Sequence, residues 1–206
     1  MNILSDRILS LEESQTIAMA RKSRELIGNG VDVISLSLGE PDFDTPEFIK
    51  KAAKKAIDDN FSHYTPVPGL GELRNAISAK FKRDNNLDYT ADEIVVSTGA
   101  KQSLAQLLLA IVNPGDEVIV PAPYWVSYYQ MIKMAEGTPI VIAASVEADF
   151  KVTAEQVGEV ITSKTKAFLF STPCNPTGSV YSREELAELV KVFEKYPEII
   201  IISDEI

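Results

Sequence analysis

The stretch that decides the fold is residues 166–178, which read KAFLFSTPCNPTG. An apolar run of this length, followed by turn-forming residues, predicts a β-strand over Lys166–Ser171. The Asn-Pro and Thr-Gly pairs that come next predict a rigid turn. Asn175 would then project from the end of a strand, although the same pattern fits an asparagine that bonds only to its local backbone.

On both sides of this stretch, extended and helical patterns alternate from residue 93 to residue 203. Such alternation predicts an α/β fold, a mostly parallel sheet with helices on both faces. Right-handed crossovers bring the carboxyl ends of the strands to one edge, where ligands of open α/β sheets bind. The predicted strands are Glu93–Ser97, Glu117–Val120, Pro139–Ala143, Lys166–Ser171 and Ile199–Ser203, and the helices between them are Lys101–Val112, Tyr124–Ala135, Ala154–Ile161 and Arg183–Lys195.

The composition excludes several classes of protein. A hydrophobic fraction of 45% is ordinary for a globular protein, and a formal net charge of -10 argues against nucleic acid and against a polybasic membrane anchor. Cys174 is the single cysteine, so no internal disulfide forms, which fits a reducing compartment. The N-terminus does not resemble a signal peptide, and the apolar runs are too short to span a bilayer. We therefore expect a cytoplasmic protein.

Known metal and nucleotide motifs are missing from the sequence. No Cys/His spacing suggests zinc, and neither common glycine-rich nucleotide loop is present. Cys174 and His63 make a weak catalytic pair, because nothing indicates a third partner. We predict no metal site.

Three further positions lie where predicted strands end. Gly99, Ala100 and Lys101 open a helix, whose N-terminal amides and dipole attract an anion such as phosphate. Trp125 follows two prolines, and Asp204 follows the last strand. Taken singly, each also fits a plain structural role: a strand–helix turn, a core tryptophan and a helix N-cap.

In combination, eight ordered segments make the chain resemble the class I aminotransferases, enzymes that use pyridoxal 5'-phosphate. The resemblance is closest to the bacterial aspartate aminotransferase branch and runs over essentially the whole chain. The segments are Ser37-Leu38-Gly39-Glu40-Pro41-Asp42-Phe43-Asp44-Thr45-Pro46, Tyr64-Thr65-Pro66, Gly69-Leu70-Gly71-Glu72-Leu73-Arg74, Ser97-Thr98-Gly99-Ala100-Lys101-Gln102, Pro114-Gly115-Asp116-Glu117-Val118, Pro123-Tyr124-Trp125, Asn175-Pro176-Thr177-Gly178 and Ser203-Asp204-Glu205.

The resemblance implies how the cofactor phosphate is held. Gly99, Ala100 and Lys101 match the cup whose backbone amides bind this phosphate. Tyr64 matches a tyrosine that reaches the phosphate of the neighbouring subunit. The resemblance therefore implies a homodimer.

The resemblance also assigns roles around the cofactor ring. Trp125 matches the aromatic side chain that stacks on the pyridine, and Asn175 matches the donor to its phenolic oxygen. Asp204 matches the carboxylate that pairs with the pyridine nitrogen. An opposite charge at close range raises the pKa of such a nitrogen and keeps it protonated.

For the substrate, the resemblance implies a dicarboxylic amino acid and a 2-oxo acid. It leaves open whether aspartate, glutamate, an aromatic amino acid or prephenate is preferred. The implied substrate contacts are Gly39, Trp125, Asn175, Lys101 and Thr16, with Ser14 near Thr16.

One essential family residue is missing from the chain. The lysine that forms the Schiff base follows the Asp-Glu motif in the family, so here it would lie beyond Ile206. We expect an N-terminal half, with residues 1–45 as an arm and part of the small domain and residues 46–206 as part of the cofactor domain. We expect this chain alone to be inactive.

Other interpretations stay open. The chain also fits a C–S lyase or a related enzyme of the same cofactor class, and a non-catalytic module for binding or dimerisation. A natural C-terminus on an edge strand is the alternative to a longer parent protein.

Overall fold

The computed structural model describes residues 3–13, 15–36, 39 and 41–205. Ser14, Ser37, Leu38 and Glu40 lie outside the described residues. The chain divides into two compact units, one of Met1–Ser35 with Ala100–Ile206 and the other of Leu36–Gly99. The helices are α1 Asp6–Leu9, α2 Gln15–Gly28, α3 Glu47–Asp58, α4 Gly71–Lys80, α5 Ala100–Ile111, α6 Ser127–Met134, α7 Ala154–Val160 and α8 Arg183–Phe193, and the strands are β1 Glu117–Ala122, β2 Thr138–Ala143, β3 Thr165–Ser171 and β4 Ile200–Asp204.

The sheet is parallel throughout, with the strand order β2-β1-β3-β4. This confirms the predicted α/β fold and four of the five predicted strands. At its carboxyl edge, Ser171 of β3 stands in register with Asp204 of β4. Because all four strands run parallel, the carboxyl ends of β1, β2, β3 and β4 lie at the same edge of the sheet.

Apolar residues on the two faces of the sheet form separate cores. Val118 and Val120 of β1 pack in one core with α5 and α6, whereas Ile119 between them packs in the other with α7 and α8. This alternation follows from the twofold period of a strand. Both faces are covered, as the sequence predicts for a parallel sheet.

The connections of β1 and β3 leave in opposite directions. The chain passes from β1 through α6 to β2 on one side, and from β3 through α8 to β4 on the other. Adjacent strands whose connections diverge leave a crevice at their carboxyl ends, and ligands bind there. The fold therefore places the loops after β1 and β3 on the two sides of this crevice.

Within the Leu36–Gly99 unit, the predicted strand over Glu93–Ser97 is wrong. Ala91–Glu93 forms a short 3₁₀ helix, Ile94 has extended backbone, and residues 94–97 pair with no strand among the described residues. Val96 donates its backbone N–H to Pro68 O at 2.9 Å instead. Apolar β-branched residues favour extended backbone, but a strand also needs a partner.

Arg74 holds this segment in place. Its side chain is 13% exposed, and its Nε lies 2.8 Å from Ala91 O and 3.1 Å from Ile94 O. Its Nη2 donates to the exposed Asp92 at 3.0 Å. This arginine of the third family segment therefore has a structural role within its own unit.

The start of α8 is fixed by a capping box. Ser182 Oγ accepts from Glu185 N at 3.1 Å, and Glu185 Oε2 accepts from Ser182 N at 2.6 Å. Lys151 pairs with Glu185 at 2.8 Å and so joins the loop before α7 to α8. Through the described ranges, no helix combines the length and the apolar character that a bilayer crossing requires.

Candidate active site

The loop after β3 is a closed turn that presents Asn175. Gly178 N donates to Cys174 O at 2.7 Å, and Cys174 N donates to Ser179 O at 2.9 Å. Asn175 lies inside this turn with its side chain exposed. The predicted turn is therefore confirmed, and Asn175 stands at the carboxyl edge of the sheet.

The loops after β1 and β3 contact each other. Cys174 Sγ lies 3.4 Å from Pro123 O, at weak S–H hydrogen-bond distance. Cys174 is partly buried. Its contact ties the turn of Asn175 to the segment that carries Trp125, so both flank the crevice.

Trp125 is half-buried, and two side chains contact its ring. The ring of Tyr128 packs edge-on against it, with 5.6 Å between centroids and an interplanar angle of 90°. Lys101 Nζ lies 4.8 Å from the centroid of the Trp125 ring, within the range of a cation–π contact. The structure thus brings together Trp125 and Lys101, two residues that the sequence predicts for the site.

Asp204 ends β4 and is bound by a residue that the sequence reasoning missed. The Tyr128 hydroxyl donates to Asp204 Oδ2 at 2.5 Å. Tyr128 is 1% exposed. Burial raises its pKa well above the ordinary value, and the hydrogen bond to Asp204 raises it further. Tyr128 therefore stays a protonated donor to Asp204 at any pH near neutrality.

One signal in the sequence could have identified Tyr128. It stands three residues after Trp125, the spacing that places two side chains on one face of a helix. Its partner lies 76 positions further along the chain. Local patterns therefore indicate its proximity to Trp125 but not its bond to Asp204.

Lys101 also borders a groove of about 320 Å³ on the same unit. The groove runs between α6 and the N-terminal segment at Leu11 and Glu12. Glu12 N donates to Gln130 Oε1 at 3.2 Å, which anchors this segment on α6. Thr16 lies partly buried in the first turn of α2. Among the described residues, no hydrogen bond or ring contact joins Thr16 to Lys101.

Three predicted site residues belong to the Leu36–Gly99 unit. Gly39 is exposed, and Tyr64 is fully exposed. Gly99 has a φ of +84°, which an L side chain rarely adopts. A glycine is therefore favoured directly before Ala100, the exposed first residue of α5.

The side chains near the crevice fit a planar, phosphorylated pyridine. Trp125 offers an aromatic face, and Asp204 offers a carboxylate whose Oδ1 has no hydrogen-bond partner within the described part of the chain. Asn175 adds an exposed amide. The first amides of α5, a helix of 12 residues, are the kind of group that binds phosphate.

A mostly parallel sheet with these residues at its carboxyl edge has the fold of the pyridoxal-phosphate-dependent aminotransferases. The chain belongs to the aminotransferase class I and II family, whose model matches residues 31–206. Among curated proteins, it is 52% identical over 205 residues to an aspartate/prephenate aminotransferase of Cereibacter sphaeroides. That alignment covers 100% of this chain and 51% of the relative.

Solved structures of aspartate aminotransferases also resemble this chain. An aspartate aminotransferase from Thermus thermophilus with maleate aligns with a TM-score of 0.96 and 43% identity, over 100% of this chain and 54% of that one. The aspartate aminotransferase from Rhizobium meliloti aligns with a TM-score of 0.95 and 40% identity, over 99% and 51%. The chain therefore spans about half the length of the relatives it matches.

Proposed function

We propose that this chain supplies the N-terminal half of a pyridoxal-phosphate-dependent aminotransferase. The whole protein would move an amino group between aspartate or glutamate and a 2-oxo acid. One observation carries the proposal: the buried side chain of Tyr128 contacts both Trp125 and Asp204, and Lys101 contacts the ring of Trp125. The names of the relatives support the same reaction class.

Asp204 holds the charge that the chemistry requires. Pyridoxal 5'-phosphate, when bound, supplies an electron sink for the negative charge that develops at the substrate α-carbon. Asp204 would pair with the ring nitrogen and favour its protonated form, since an opposite charge nearby favours the charged state. Its Oδ2 is occupied by Tyr128, so Oδ1 is the oxygen available to the ring.

Trp125 and Asn175 orient the ring. Trp125 would stack on its face, fix its plane and exclude water from that side. Asn175 would donate its side-chain amide to the phenolic oxygen and lie near the substrate carboxylate. Both residues stand on loops that contact each other through Cys174 and Pro123, which supports a common ligand between them.

The phosphate group would be held by Gly99, Ala100 and Lys101. Backbone amides at a helix N-terminus favour a dianion. We further propose that the protein is a homodimer in which Tyr64 of the partner subunit reaches the phosphate. The complete exposure of Tyr64 leaves its hydroxyl accessible for such a contact.

Lys101 would also recognise the distal carboxylate of an acidic substrate. Its side chain borders both the ring of Trp125 and the groove beside α6. Gly39 and Thr16 would complete the substrate contacts. A cation at this position favours aspartate or glutamate over a neutral amino acid.

The chain alone would not transaminate. The family's cofactor-linking lysine would lie beyond Ile206, and Lys191 is a poor substitute. Lys191 pairs with Glu188 on α8, the helix that packs on the opposite face of the sheet from α6. Aspartate transamination by the purified 206-residue chain would contradict this part of the proposal.

An activity assay of the full-length protein tests the proposed function. Aspartate with 2-oxoglutarate should be converted in a reaction that requires added pyridoxal 5'-phosphate, whereas cystathionine should yield no thiol. Asp204→Ala should reduce kcat/KM by about a hundredfold or more, because the ion pair between Asp204 and the ring nitrogen of the cofactor is lost. Thiol release without transamination would instead favour a C–S lyase.

A further inference from the structure

We propose that Tyr128 is a positioning residue that fixes Asp204 and Trp125 relative to each other and thereby determines where the cofactor ring binds. The inference deepens the proposed function and rests on it. It adds a residue that contacts the two ring-holding side chains without itself reaching the reacting atoms.

Tyr128 contacts both residues from a single buried position. Its ring lies 5.6 Å from that of Trp125, and its hydroxyl lies 2.5 Å from Asp204 Oδ2. Its backbone N–H also donates to Trp125 O at 2.9 Å. Trp125 follows β1 and Asp204 ends β4, two strands that are not neighbours in the sheet. Tyr128 is therefore the side chain that sets their spacing.

The hydrogen bond also selects the orientation of the carboxylate. A carboxylate at the end of a strand can rotate about its terminal bond, because that torsion has broad minima. A donor fixed in the core restrains Oδ2 and turns Oδ1 away from Tyr128. Since burial keeps the phenol protonated, as the raised pKa of Tyr128 indicates, this restraint persists at any pH near neutrality.

Tyr129 provides a matched control. It is the next residue of α6, and Lys133 Nζ lies 5.9 Å from its ring centroid. Within the described residues, neither Asp204 nor Trp125 forms a hydrogen bond or a ring contact with Tyr129. Tyr129→Phe therefore removes the same atom as Tyr128→Phe without touching the ring-holding pair.

The main experiment measures binding of pyridoxal 5'-phosphate to the full-length protein by its absorption, together with the pH dependence of that absorption. Tyr128→Phe should weaken binding about tenfold, as expected for one hydrogen bond to a charged group. Tyr129→Phe should stay within about twofold of the unmodified protein, the scale of a surface change. Circular dichroism should show that both variants fold.

A double variant separates positioning from general packing. If Tyr128 acts through Asp204, Tyr128→Phe should add little to the effect of Asp204→Ala, which already removes the acceptor, because coupled residues are non-additive. Additive effects, or unchanged cofactor binding in Tyr128→Phe, would overturn the proposal.

A second readout needs no cofactor and so separates this inference from the proposed function. Trp125 is the single tryptophan of the 206-residue chain, so its fluorescence reports on this site alone. Asp204→Ala should shift the emission of Trp125, and the shift should vanish in a Tyr128→Phe background. Equal shifts in both backgrounds would overturn the role of Tyr128, whereas failure of the full-length protein to bind pyridoxal 5'-phosphate would overturn the proposed function.

Discussion

The Tyr128 hydroxyl donates a 2.5 Å hydrogen bond to Asp204 Oδ2, although the two residues lie 76 positions apart in the sequence. The bond joins the start of α6 to the end of β4, and Tyr128 is almost completely buried. A buried donor of this kind needs an acceptor in the folded state. The pair therefore matters to folding as well as to the proposed cofactor site.

This relationship predicts that two substitutions of Asp204 differ in stability. Asp204→Ala leaves the Tyr128 hydroxyl without its acceptor and should lower the free energy of unfolding by about 1–3 kcal/mol. Asp204→Asn keeps an oxygen that can accept the bond and should cost clearly less. Urea unfolding followed by Trp125 fluorescence measures both, and equal losses would show that the bond adds nothing to stability.

A substitution of Lys101 tests the specificity for acidic substrates. Lys101→Met in the full-length protein should raise the KM for aspartate about tenfold or more, because one charge-assisted hydrogen bond to the distal carboxylate is lost. The KM for alanine, which has no distal carboxylate, should change much less. Steady-state kinetics with both amino acids provide the comparison, and equal increases would show that the Lys101 side chain does not select for the distal carboxylate.

The link between α8 and the preceding loop predicts a pH-dependent stability. Lys151 lowers the pKa of Glu185 below its ordinary value by a side-chain hydrogen bond, and Ser182 N lowers it further. A depressed folded-state pKa stabilises the protein above the ordinary carboxyl pKa, and this contribution is lost as the pH falls through the lowered value. Glu185→Gln should therefore be less stable than the unmodified chain at neutral pH.

The difference should shrink as the pH falls below the ordinary glutamate pKa of 4.5. Glutamine retains an acceptor for Ser182 N, so the helix cap is largely kept. Glu188→Gln, which affects only an exposed pair with Lys191, is the control and should change stability little. Urea unfolding at several pH values measures the free energy of unfolding of each variant. A loss of stability in Glu185→Gln that does not change with pH would contradict the proposed role of the ionised Glu185.

Arg74 should matter far more than its exposed partner. Arg74→Ala leaves the carbonyls of Ala91 and Ile94 without a charged donor and should destabilise the unit by about 2–3 kcal/mol. Asp92→Asn affects an exposed carboxylate and should cost less than about 1 kcal/mol. Hydrogen exchange of the amides in residues 91–96 reports the difference, which would be absent if the salt bridge were the main interaction.

The sequence predicted the sheet well because its strands are short apolar runs between helical patterns. The four observed strands begin or end within two residues of the predicted bounds. The prediction failed at Glu93–Ser97, where the local pattern is that of a strand but no neighbouring strand exists in the described part. Strand pairing is a long-range property that a local window does not contain.

For the site, the sequence predicted residues that belong to recognisable segments, and their roles toward ligands stay predictions. Trp125 and Lys101 do come together, and the turn that carries Asn175 forms as predicted. Tyr128 was missed because its partner is distant in sequence. The contacts of Gly39, Thr16 and Tyr64 with ligands stay predictions, as do the homodimer and the cytoplasmic location.

The central claim is that these residues hold pyridoxal 5'-phosphate for transamination. The most direct measurement is the absorbance of the full-length protein after addition of pyridoxal 5'-phosphate, before and after addition of aspartate. The account predicts a protein-dependent cofactor band that aspartate bleaches and that a 2-oxo acid restores. A spectrum identical to that of free pyridoxal 5'-phosphate, or a band that aspartate leaves unchanged, would contradict it.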